Sequence, residues 1–164
     1  MITDFYQNAC PDSEGRYLEQ IWGFSDQDLM HGHDWIQWLF PTDKESGFNP
    51  DAPVLTARDV ALFRANPELR RNLETSFHRW LKVLGLRWDE GRVVGNGDTY
   101  VFKTQNHNWL RFSRIIRSLS MLGLPDEAQR FLDFVLEHTD PTLSKDSRPY
   151  WTAALRPRDG RPAG

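Results

Sequence analysis

The segment His33-Asp34-Trp35-Ile36-Gln37-Trp38-Leu39-Phe40-Pro41 restricts the fold of this 164-residue chain more than any other. Five of its nine residues are large and apolar. A bilayer-spanning helix takes about 20 apolar residues, so the run is too short to cross a membrane. Rings and branched chains this dense have to be buried, each aromatic removing roughly 150–250 Å² from water. The segment is expected as a short core helix capped by Asp34 and stopped by Pro41, because proline ends a helix and restricts the residue before it. Its polar members, His33 and Gln37, are expected to face outward, while Trp35, Ile36, Trp38 and Leu39 hold the fold. Trp35, Trp38 and Phe40 are also candidate walls of an aromatic groove.

Helical periodicity continues through most of the chain. Leu18, Ile21 and Trp22 form a stripe that Asp12 or Ser13 would cap. Thr42 to Pro53 holds Asp, Ser, Gly, Asn and two Pro, and reads as loop. Thr56 and Asp59 form a capping box, with Leu55 and Val60 as its staple. Asn66-Pro67-Glu68 opens the clearest amphipathic helix, in which Leu69, Leu73, Phe77, Trp80, Leu81 and Leu84 share a face and Gly85 ends the run. Leu86 to Phe102 changes character. β-Branched and aromatic residues flanking Gly95-Asn96-Gly97-Asp98 suggest a small hairpin near 92–102. Phe112, Ile115, Ile116, Leu119 and Leu122 mark a helix over 106–122. Pro125-Asp126-Glu127 opens another, with His138 in its last turn. Tyr150, Trp151 and Leu155 anchor one more short helix. The expectation is an all-α, single-domain, irregular bundle of about six to seven helices over 1–155, followed by a disordered tail over 156–164.

Composition removes several function classes. A 39% apolar and 26% charged chain is ordinary for a globular domain. The formal charge of −3 gives no general attraction to polyanions, which argues against nucleic acid as a partner. Cys10 is the single cysteine, so an internal disulfide and a multi-cysteine zinc site are excluded. Acids at Asp4, Asp12 and Glu14, with no apolar run beside them, do not make a secretory signal, and a cytoplasmic location is the expectation.

Two constellations carry chemistry. His31, His33 and Asp34 are close in sequence, but their spacing does not build a tetrahedral metal pair and no His-Glu-x-x-His pattern supports them. Neither a metal nor a cofactor is expected. The second is Asn106-His107-Asn108 followed by Arg111, Arg114 and Arg117. At helical spacing the arginines form a ridge beside the core face, with Arg111 closest to it. Asn108 falls inside the apolar arc and has to cap the helix or bond another segment, since unpaired burial costs about 1–3 kcal/mol. His107, Asn108, Arg111 and Arg114 are thus candidate anion ligands at a helix start. The structural alternative is that Arg111 and Arg114 pair with carboxylates such as Asp59 or Glu74. No nucleophile elbow, Cys–His pair or P-loop is present.

His33 to Pro41 resembles the His-x-aromatic-Ile-Gln-Trp-Leu-Phe-Pro signature of the opioid growth factor receptor N-terminal domain family. His107-Asn108-Trp109-Leu110-Arg111-Phe112-Ser113-Arg114-Ile115-Ile116-Arg117-Ser118-Leu119 is similar to that family's second motif, His-Asn-x-Leu-Arg-Ile-Thr-Arg-Ile-Leu-Lys-Ser-Leu. Leu55-Thr56 with Val60 and Phe63 agrees with the segment between them, and the resemblance spans about residues 15–155. It implies an all-helical domain, here of a stand-alone microbial type without the long, often repetitive C-terminal extensions of animal members. Animal members are associated with binding the opioid peptide Met-enkephalin and with growth inhibition. The family supplies no catalytic residues. The expected function is therefore a binding module for a peptide, protein or small anionic ligand, at His33, Gln37, His107, Asn108, Arg111 and Arg114. The alternative is an enzyme acting on a phosphorylated or acidic substrate, with His107 as general acid/base and the arginines as clamps.

Overall fold

In the computed structural model, which describes residues 2–155, the chain forms two compact units, Met1–Val83 and Leu84–Gly164. The first holds α1 (Ile2–Tyr6), α2 (Leu18–Trp22), α3 (Asp26–His31), α4 (Ile36–Leu39), α5 (Ala57–Ala65) and α6 (Pro67–Val83). The second holds the hairpin β1 (Leu86–Asp89) and β2 (Arg92–Gly95), then α7 (Tyr100–Lys103), α8 (Asn108–Met121), α9 (Pro125–His138) and α10 (Arg148–Ala154). The protein is all-α apart from the hairpin. Its ten described helices exceed the expected six or seven because three short ones, α1, α3 and α7, carry weak periodicity. The tail expected at 156–164 lies outside the described residues.

In the first unit α6 is the axis. Leu69, Leu73, Phe77, Trp80 and Leu81 are buried along one face, as their spacing requires. Helices α1, α3 and α5 pack on it. The Thr56 hydroxyl accepts from the Asp59 N–H at 3.2 Å and the Asp59 carboxylate accepts from the Thr56 N–H at 2.9 Å, closing the expected capping box. Asn66 caps α6, its Oδ1 accepting from the Glu68 N–H at 2.9 Å. The cap expected at Asp12 or Ser13 is not used. Asp12 instead accepts from the Glu14 and Arg16 amides and from the Arg16 side chain, closing its own loop, while the Gln20 side chain accepts from the Tyr17 N–H before α2.

The aromatic signature is a single turn of helix. Trp35 precedes it, with its indole N–H donating to the Leu29 carbonyl at 3.0 Å and its ring 6.0 Å from that of Trp80. Asp34, the expected cap, is instead bound by Arg16 at 3.0 Å. A buried polar chain ties α4 to three other helices. The Tyr6 hydroxyl hydrogen-bonds to the Leu39 carbonyl and to the Ser76 hydroxyl, the latter at 2.8 Å. The Trp22 indole N–H donates to the same Ser76 oxygen at 2.9 Å.

Burial holds the Tyr6 phenol well above its ordinary ionisation range. In the unfolded chain it ionises near pH 10, so its contribution is complete below about pH 10 and is lost as pH rises further. Tyr6→Phe is expected to cost about 1–3 kcal/mol at neutral pH by orphaning its partners. It should also flatten the alkaline loss of stability, which is otherwise up to about 1.4 kcal/mol per pH unit. Urea unfolding of both proteins between neutral and alkaline pH measures the two effects together.

In the second unit α8 and α9 pair, and α10 packs on α8. The hairpin is present but displaced. Its register pairs Leu86 with Gly95 and Asp89 with Arg92, so the turn is Glu90-Gly91 and not Gly95 to Asp98. Both turn residues have positive φ, 49° and 76°, which a two-residue hairpin of this hand demands and glycine supplies readily. Gly95 to Asp98 leads into α7 through a turn in which Asn96 Oδ1 accepts from the Asp98 N–H at 2.9 Å. Tyr100-Val101-Phe102, read from their β-branched and aromatic character as strand, form α7.

Candidate functional site

The start of α8 is built from neutral side chains. Asn106 Oδ1 accepts from the Asn108 N–H at 3.0 Å, and Asn106 Nδ2 donates to the Val101 and Thr104 carbonyls at 2.8 and 2.7 Å. Asn106 is therefore the residue whose side chain closes the first turn. The Trp109 indole N–H donates to the Val101 carbonyl at 2.7 Å, and Trp109's own carbonyl accepts from the Trp151 indole N–H at 2.8 Å. The two indoles meet edge to face, 5.6 Å apart. This frame fixes α8 against α7 and α10 and so fixes what α8 carries.

Of the six expected site residues, four lie here. His107 is exposed and directly precedes α8, while Asn108 is wholly buried. Arg111 is only 7% exposed, and its Nη1 lies 3.4 Å from Asn108 Oδ1. Arg114 is half-buried. Burial pushes the Arg111 guanidinium down to about 10, with Tyr100 pulling weakly the other way, and burial lowers Arg114 as well. Both stay cationic at neutral pH, but in surroundings whose net effect disfavours the charge. Asp59 closes the α5 capping box and Glu74 lies 3.9 Å from His78.

The other two expected site residues belong to the first unit. His33 is exposed as expected. Gln37 is not: it is 4% exposed, and its Oε1 has no hydrogen-bond partner among the described residues. A one-turn helix packed on several sides leaves Trp38, rather than Gln37, half-buried. Trp35 and Phe40 are core side chains and offer no ring face to a groove. No group of three metal-ligating side chains comes together among the described residues.

A feature the periodicity did not reveal lies in the second unit. Leu136, Pro141, Lys145, Arg148, Pro149 and Ala153 line an open cleft of about 750 Å³ between the end of α9 and α10. It arises where residues 139–147 turn back on themselves. Arg148 fixes that turn, donating from Nη1 to Thr139 Oγ1 at 3.1 Å and Ser144 Oγ at 3.2 Å and from Nη2 to the Leu136 carbonyl at 3.0 Å. The proline and basic residues of 141–149 were the only sequence signal for it.

Residues 3–162 match the opioid growth factor receptor (OGFr) conserved region. The chain belongs to this family. It is 32% identical over 173 residues to the human opioid growth factor receptor, covering 96% of this chain and 25% of the receptor. It is 29% identical over 172 residues to mouse opioid growth factor receptor-like protein 1, covering 96% of this chain and 37% of that protein. The rat opioid growth factor receptor is 30% identical over 178 residues, again across 96% of this chain. The chain thus spans about a quarter to two fifths of the length of these curated relatives. No solved structure matches it. Both motifs that carried the resemblance fall inside the matched region of the family.

Proposed function

We propose that this opioid growth factor receptor-family chain is a cytoplasmic binding module for a peptide-like or small anionic ligand, held at the start of α8 by Arg111 and Arg114 with His107 at the rim. The observation that carries this reading is the burial of the Arg111 and Arg114 guanidinium groups on a turn pre-set by Asn106 and Asn108. Charges kept at a desolvation cost on a rigid helix start are pre-organised for an anion. The word "receptor" in the names of the relatives supports a ligand-binding role.

Thermal unfolding in inorganic phosphate and in an acidic peptide tests the reading. Ligand at about a hundred times its Kd stabilises by about 2.7 kcal/mol, a rise of several degrees for a chain this size. The half-buried Arg114 tolerates substitution better than Arg111, so Arg114→Gln is expected to fold and to lose at least about half of that rise. Equal rises in wild type and variant would show that the arginines do not hold the ligand.

A further inference from the structure

The cleft between α9 and α10 has an apolar floor and two cations, and it is separate from the α8 arginines in what it offers. Leu136, Pro141, Pro149 and Ala153 supply the apolar lining. Arg148 donates only to neutral oxygens, so its charge has no carboxylate partner among the described residues. A guanidinium has five N–H groups, and the three bonds described leave Nε–H and one Nη2–H without an acceptor. Lys145 is exposed and has no ion pair among the described residues. The Asp140 carboxylate accepts through Oδ1 from the Thr142 and Leu143 amides at 2.8 and 2.9 Å. Asp140 and Asp146 do not line the cleft. The exposed Tyr150 ring stands on the same short helix.

We propose that this cleft docks an acidic peptide segment of a partner protein, an apolar side chain entering between Pro141, Pro149 and Ala153 while a flanking carboxylate meets Arg148 and Lys145. Charge complementarity selects this occupant. An apolar groove with two uncompensated cations favours apolar residues next to Asp or Glu, and carboxylate on a fixed guanidinium is a strong, directional pair. The chain's own residues 156–162 carry Arg156, Arg158 and Arg161 against a single Asp159, the wrong charge for this cleft.

Backbone amide NMR of the full chain, titrated with a blocked peptide of alternating Leu and Glu, tests the proposal. Shift changes are expected at 141–153, and the same peptide with Lys in place of Glu should leave them unmoved. Because Arg148 holds its own loop together, the test variant is the exposed Lys145→Glu, which should weaken peptide binding about tenfold or more. Unchanged affinity in that variant overturns the proposal. So do shifts confined to 156–162, which would mean capture by the terminal arginines. Shifts confined to 107–114 overturn it too, while leaving the reading of the α8 arginines intact.

Discussion

Trp35→Ala should destabilise the first unit by about 3–5 kcal/mol, the range for removing a buried aromatic. Trp35 is fully enclosed, its ring lies 6.0 Å from Trp80 on α6, and its N–H satisfies the Leu29 carbonyl at the end of α3. The substitution therefore leaves a cavity, removes the packing of α4 against α6 and leaves a carbonyl without its donor. Gly32 adds to the constraint. A Cβ there would come within 3.1 Å of the Trp35 ring and 2.8 Å of the Asp28 carbonyl, so the ring packs directly on a backbone that has room only for glycine. Trp35→Phe should cost distinctly less, keeping most of the volume and losing only the N–H. Denaturant unfolding followed by fluorescence checks both. Equal losses for Ala and Phe would show that the hydrogen bond, not the ring, dominates.

Trp151→Ala is expected to have a comparable effect on the second unit, about 3–5 kcal/mol. Its ring meets Trp109 at 5.6 Å and Phe112 at 5.8 Å, and its N–H donates to the Trp109 carbonyl in the first turn of α8. The start of α8 is held by this bond and by Asn106. Loss of Trp151 should therefore loosen the arginine site as well as the fold. A fall in melting temperature on the order of 10 °C is expected in differential scanning calorimetry. Ligand-induced stabilisation should shrink further than the lost fold stability alone explains. A variant that melts early but retains full ligand response would detach α10 from the site.

The parts of the fold written in strong periodicity were readable from sequence. The stripe Leu69, Leu73, Phe77, Trp80, Leu81 and the caps at Thr56 and Asn66 are where spacing and side-chain chemistry placed them. What could not be read was decided by tertiary packing. Helix α1 is five residues long, too short to register in periodicity, yet Phe5 and Tyr6 are fully buried because the Tyr6 hydroxyl finds Leu39 and Ser76, 33 and 70 residues away. The strand register puts the hairpin turn at Glu90-Gly91 and holds glutamate at positive φ, a choice no local preference signals. Tyr100-Val101-Phe102 have strand-like propensity, but burial of Val101 and Phe102 and the bonds Asn106 donates to the Val101 and Thr104 carbonyls make them a helix. At the candidate site, helical projection placed Arg111 beside the core and Asn108 within it, and both are buried. Gln37 was misread because a one-turn helix has no reliable outer face. The α9–α10 cleft is made by an aperiodic loop and one arginine, so nothing in a pattern of spacings foretold it.

The central claim, that Arg111 and Arg114 receive a ligand anion, is tested most directly by side-chain NMR of the arginine Nε–H groups during titration with inorganic phosphate. Arg16 and Arg79 serve as internal controls away from α8, Arg16 bound to Asp12 at 2.7 Å and Arg79 to Asp26 at 2.6 Å. The predicted result is a saturable shift of the Arg111 and Arg114 signals while those of Arg16 and Arg79 stay still. Signals of all four that drift together with ionic strength, or Arg111 and Arg114 signals that do not move, would contradict it.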